Sequence, residues 1–232
     1  FELAIALART GKLGKLHTVH AHPGGMGTRT SGWATPEPEP PKEEVDWDLF
    51  LGTAAWRPFS RSLLNSGFEK GGGLVGGGVL EWGSHCVDMC QWANNADDTV
   101  PVEYYPIGAD GRASALYANG VKLVLRHDGW LPLGSCPVRF EGDAGWVETG
   151  DSGKFGVSSQ ALLASGVSGE LPGHPHVSHV RDFLNCVKSR GNPRVNADVA
   201  CQSHIACHAV NIAIFLGRKL AYDPEKNKFL GD

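Results

Sequence analysis

A carboxylate, an imidazole, a second carboxylate and an indole follow one another at Glu81, His85, Asp88 and Trp92 of this 232-residue chain. Their spacing is i, i+4, i+7 and i+11, which places all four on one face if the stretch is a helix. A carboxylate and an imidazole four residues apart have Cβ atoms roughly 5–6 Å apart and can act on one ligand. Histidine near neutral pH can take a proton from an alcohol as its hydride leaves. The carboxylate beside it can fix a substrate hydroxyl or keep the ring oriented.

The element that must position these groups is a helix over residues 79 to 93, with Leu80, Gly83, Val87 and Cys90 as its apolar stripe. A glycine-rich entry precedes it. Gly71, Gly73 and Gly76 match GxGxxG literally, but that fingerprint needs a buried strand just before it. SRSLLNSGFEK is not one. A loop that lets a ligand approach the helix start, or simple turn-making, explains the glycines better.

Elsewhere the patterns are short. Residues 2 to 10 read as a helix stopped at Gly11, and 15 to 21 as a strand. Residues 22 to 45 carry a proline- and acid-rich loop, and AAWRPF after WDLFLG places Trp56 and Arg57 in a core plug or a binding mouth. Segments 100–107, 112–117, 121–126, 138–141 and 145–148 are strand-like, and Asn119-Gly120 marks a hairpin turn. Four or five consecutive antiparallel strands then make one sheet. An amphipathic helix at 176–189 bears Val180, Phe183, Leu184 and Val187 on one side. Asn196 caps a last helix from 197 to 216 with the stripe Val199, Ser203, Ala206, Val210, Ala213 and Ile214, and AYDPEKNKFLGD, 221–232, reads as a short surface tail.

Composition narrows the class. A hydrophobic content of 41% and a charged content of 20% are ordinary for a globular protein, and a net charge of −4 argues against a nucleic-acid partner. The longest apolar run, near Ile205 to Gly217, is broken by His208 and Asn211, short of the roughly 18 residues a membrane helix needs. Six cysteines form no zinc-type pairs. They read as small buried hydrophobes in a reducing setting, which favours the cytoplasm and leaves the periplasm open. Ten histidines keep a metal-dependent hydrolase in view through His20 and His22, or His174, His176 and His179. No HExxH occurs, however, and we expect no metal site. No GxSxG occurs either.

GGGVLEWGSHCVDMCQWA resembles the helix carrying the substrate-side residues in the glucose–fructose oxidoreductase, inositol dehydrogenase and MocA family (Gfo/Idh/MocA). GKLGKLHTVHA, WDLFLGTAAWRPF, RFEGDAGWVE and the stretch from DFLNCVKSRGNP to the end resemble further segments of the family in order. The resemblance implies an α/β (α+β) domain with a largely antiparallel open sheet and helices packed on one face. It implies that residues 1–14 are the end of a missing nucleotide-binding domain or a linker helix, and 15–232 a C-terminal substrate-binding and oligomerisation domain. NAD or NADP would be bound mainly by that missing domain. The substrate would be a sugar, cyclitol or related polyol, and a homo-oligomer would form through the open sheet face. By position, His85 matches the general acid/base, while Glu81 stands where aspartate is more usual. Asp88 matches a later acidic position, Trp56 and Arg57 match the loop of one large bacterial branch, and we expect all three on the substrate-binding side. An NAD-dependent redox-cycle glycosidase and a non-catalytic sugar-binding module are the alternatives.

Overall fold

The computed structural model describes residues 1–26, 35–65, 78–164, 166–167 and 178–231. Among these the helices are α1 (Glu2–Arg9), α2 (Trp47–Leu51), α3 (Arg61–Asn65), α4 (Trp82–Ala93), α5 (His179–Ser189) and α6 (Ala197–Leu216). The strands are β1 (Leu16–Ala21), β2 (Glu103–Tyr105), β3 (Ala113–Leu116), β4 (Lys122–Leu125), β5 (Val138–Gly142), β6 (Gly145–Thr149), β7 (Phe155–Val157), β8 (Leu220–Asp223) and β9 (Lys228–Leu230). They form one sheet in the order β7-β6-β5-β1-β4-β3-β2-β8-β9. Every pairing is antiparallel except β1 with β4.

The expected α/β class with a mostly antiparallel open sheet is therefore present, and the sheet is larger than the five strands read locally. The C-terminal residues do not make a surface tail. Leu220 and Tyr222 are buried, and β8–β9 extends the sheet beyond β2 as a hairpin. The turn at Asn119-Gly120 also differs from the expected one. Only Gly120 has positive φ, at +85°, and Gly120 N–H donates to the Tyr117 carbonyl at 2.9 Å. One glycine closing a turn begun in the right-handed region is the longer hairpin connection, not the two-residue one.

One face of the sheet buries Val19, Ala21, Tyr104, Ala113, Ala115, Leu123, Leu125, Val138, Phe140 and Val147. Against it lie α1, α4 and α6, with α4 touching both other helices as well as β1 and β5. Ala4, Ile5, Ala6 and Leu7 of α1 are wholly inside this same core. Asn196 caps α6 by accepting from the Asp198 and Val199 N–H groups, as its sequence position foretells. α6 is long and apolar enough to cross a bilayer by length and composition, yet Ser203, Ala206, Val210, Ala213 and Ile214 are buried against the protein. Of the cysteines, Cys86, Cys90 and Cys207 are buried as expected, but Cys201 is exposed. A separate small cluster of Trp47, Leu51, Phe59 and Leu63 holds α2 and α3.

The opposite face carries charge. Glu148 is wholly buried there and lies 3.3 Å from Arg126 and 3.5 Å from Arg139, and it accepts from the Leu131 N–H at 2.8 Å. Each guanidinium stacks on an indole, Arg126 on Trp130 and Arg139 on Trp146. His20 lies 3.4 Å from Glu141 in the same cluster. Burial pushes the His20 pKa down to about 4, with Glu141 opposing and Arg126 and Arg139 reinforcing the shift. The folded protein thus holds this imidazole neutral, whereas the unfolded chain protonates it below its ordinary value near 6.5. Stability from this group is complete above that value and drains away as pH falls towards 4, by up to about 3 kcal/mol. Urea unfolding across that interval should show the loss, and His20→Leu should flatten the slope; an unchanged slope would remove His20 as its source.

Candidate functional site

The candidate site is built where two glycine-bearing backbones meet. A Cβ on Gly78 would fall 2.2 Å from Gly25 N, and one on Gly83 would fall 2.8 Å from the Pro23 carbonyl. Only hydrogen fits at these contacts. The loop after β1, from Pro23 to Gly25, is in this way laid across the start of α4. Gly83 N–H and Glu81 N–H both donate to the Gly78 carbonyl, at 2.7 and 3.3 Å.

The helix begins later than its periodicity suggests. Glu81 is the residue before the first helical turn, with φ −103° and ψ −98°, and its side chain does not cap the helix. The spacing rule for two helical residues therefore does not set the separation of Glu81 from His85. Ser84 Oγ donates to the Glu81 carbonyl at 2.6 Å and holds the junction. The Glu81 carboxylate is half-buried, with no hydrogen bond or ion pair among the described residues.

His85 is exposed, with its ring 5.7 Å from the exposed indole of Trp82. On the other side of the helix Gly83, Cys86, Val87, Cys90 and Ala93 are buried. That is most of the expected apolar stripe, with Leu80 only half-buried. Burial raises the thiols of Cys86 and Cys90, and pushes Cys207 up to about 12, so these thiols stay protonated core groups.

The other sequence-selected residues are not gathered at this point. Asp88 accepts from Ser203 Oγ at 2.6 Å, tying α4 to α6. Trp92 lies under the Arg194 guanidinium, 5.8 Å from its ring centre. Trp56 is 70% exposed on the loop between α2 and α3, and the Arg57 carbonyl accepts from Trp47 Nε1 at 2.8 Å. Sequence reasoning overlooked the loop after β1 as the partner of the helix start. Its signal was the Gly24-Gly25 pair set against Gly78 and Gly83, since pairs of glycines let two backbones touch. His22 of that loop accepts from Gly24 N–H at 3.2 Å and packs edge-on to His127.

The GxGxxG match at 71–76 and His174 and His176 lie outside the described residues. Among the described residues the last element before that match is the helix α3, where a dinucleotide fingerprint requires a strand. Among the described residues no three of His, Cys, Asp and Glu converge in a metal-binding group.

Comparison with known proteins adds the context. Residues 27–232 match the sequence model of the oxidoreductase family's C-terminal alpha/beta domain. No curated protein is significantly similar in sequence. The WlbA dehydrogenase from Bordetella pertussis, crystallised with NADH and UDP-GlcNAcA, is 15% identical over 96% of this chain and 61% of its own, with a TM-score of 0.53. An aldose-aldose oxidoreductase from Caulobacter crescentus is 17% identical over 94% of this chain and 59% of its own, at a TM-score of 0.49. A myo-inositol 2-dehydrogenase from Lactobacillus plantarum is 15% identical over 95% and 60%, at 0.48. The chain thus spans about three fifths of the length of these proteins.

Proposed function

The chain belongs to the Gfo/Idh/MocA oxidoreductase family, and from that premise we propose that it is the substrate side of a nicotinamide-dependent oxidoreductase acting on a CH–OH group of a sugar, cyclitol or related polyol. The observation that carries this reading is the start of α4. An exposed imidazole on a helix fixed in the core on its other side stands four residues after a half-buried carboxylate that has no partner among the described residues.

The proton side of the reaction falls to these residues. His85 accepts the proton of the hydroxyl being oxidised and returns it in the reverse direction. Glu81 accepts a hydrogen bond from a neighbouring hydroxyl, which orients the sugar before reaction. Trp82, exposed beside His85, offers an apolar surface for the C–H face of a sugar ring. Asp88, held by Ser203, keeps α4 in place. Trp56 and Arg57 are assigned to the rim of the substrate mouth.

The described residues do not fit a dinucleotide, because they hold no strand–glycine–helix cradle ahead of α4. We assign NAD or NADP to a nucleotide-binding domain outside this sequence; when bound there, the nicotinamide supplies the hydride acceptor. Tyr105, Leu116 and Trp146, half-buried on the sheet face away from the helices, support a homo-oligomer formed through that face.

The test is a panel of sugars, cyclitols and polyols given with NAD or NADP to the polypeptide read from the complete gene, followed by absorbance of the reduced nicotinamide. We expect turnover with at least one polyol, and tight NAD binding only by the longer protein. Tight binding of NAD by the 232-residue chain alone would overturn the division of labour.

A further inference from the structure

Helix α5 has eleven residues and none of them is buried. Yet Val180, Phe183, Leu184 and Val187 stand at i, i+3, i+4 and i+7, an apolar stripe of the kind that faces a core. They are 65%, 56%, 40% and 46% exposed. Four large apolar side chains in one uncovered row mark an interaction surface more than scattered surface residues would. A helix of this length is marginal in water, and helices in proteins draw most of their stability from packing such a face. Among the described residues this helix has no buried apolar contact of its own.

Its position indicates what supplies that contact. The Arg194 N–H, just after α5, donates to Asp182 Oδ2 on the helix at 2.9 Å. The Arg194 guanidinium reaches across to Glu2 Oε1 at 3.1 Å. α5 is therefore pinned beside Glu2, at the start of α1. Relatives of the same fold are longer by about two fifths of their length, and one of them was crystallised with NADH. We propose that the apolar face of α5 is the seat of the nucleotide-binding domain, so that Val180, Phe183, Leu184 and Val187 form this domain's half of the interdomain contact. This rests on the preceding reading, in which that domain lies outside the sequence.

Hydrogen–deuterium exchange and thermal melting of the 232-residue chain and of the polypeptide read from the complete gene test it. In the complete protein the α5 amides should exchange at least about tenfold more slowly than in the chain alone. The double substitution Phe183→Glu with Val187→Glu should leave the melting of the chain alone unchanged while lowering that of the complete protein and releasing the α5 amides. Equal exchange in the two proteins, or a gene encoding no further domain, would overturn the proposal. So would protection that appears in the chain alone and rises with its concentration, because the occupant would then be a second copy. Nicotinamide-dependent turnover is measured on the same preparation. Turnover with unprotected α5 rejects the docking and keeps the function. Protection in a complete protein that binds no nicotinamide cofactor rejects the function and, with it, the proposed occupant.

Discussion

Replacing His85 with alanine should lower the turnover of the complete enzyme by about 10²- to 10⁴-fold, the ordinary contribution of a positioned general acid or base. The size of the loss is interpretable because the side chain carries little of the fold. His85 is exposed, its ring neighbour among the described residues is the exposed Trp82, and the buried stripe of α4 lies on the other side. A substitution at such a position shifts stability within about 0.5 kcal/mol, so melting should not change. The Michaelis constant should stay close to its original value, since an interaction realised in the transition state is removed and ground-state binding is kept. Added imidazole should restore part of the rate. Glu81→Gln is the contrast: it keeps the size and the hydrogen-bonding oxygen but not the charge, and its effect should fall mainly on the Michaelis constant. Undiminished turnover of the folded His85→Ala enzyme would remove this residue from the reaction.

The two residues in that prediction were visible in the sequence for different reasons. His85 sits inside a regular helix, so its exposure follows from the periodicity that buries Gly83, Val87 and Cys90. Glu81 is one residue outside the helix, and its backbone is set by a contact with the loop after β1 that no local pattern encodes. The same contrast runs through the sheet. Strands β3 to β6 have alternating residues and turn signals between them, and they appear where the sequence puts them. The pairing of β1 with β4 joins segments about a hundred residues apart, Thr18 with Lys122, which only the assembled core dictates. β8 and β9 were read as a tail because four and three residues give too short an alternation against the polar Asp-Pro-Glu-Lys-Asn between them. Even so, Leu220 and Tyr222 carried the period of a strand. The stripe of α5 was legible, while its exposure is knowable only in three dimensions.

The charge cluster on the open face was the least legible feature, and it yields the largest effect on folding. Arg139 on β5 and Glu148 on β6 are brought opposite each other by the strand register, and Arg126 joins them from the residue just after β4. Glu148 is fully buried, with one oxygen accepting from the Leu131 N–H and the other serving both guanidiniums. Glu148→Ala removes the one carboxylate that serves both guanidiniums: Arg139 keeps Glu141 at 2.6 Å, but Arg126, itself 5% exposed, loses its partner. Removing one member of a buried ion cluster in this way costs about 3–5 kcal/mol, because the remaining charge is desolvated and uncompensated. For a chain of this size that lowers the melting temperature on the order of 10 °C. The loss should be specific to the broken pairing. Replacing the cluster together, as Glu148→Leu with Arg126→Met and Arg139→Met, should recover most of the stability, since apolar groups of similar volume substitute for a buried ion cluster at little cost. Thermal and urea unfolding of the single and triple variants measure both effects. If Glu148→Ala melts with the parent, the carboxylate is not the counter-ion that holds this face. If the triple variant is as unstable as the single one, the destabilisation comes from lost packing around Trp130 and Trp146, and the electrostatic account fails.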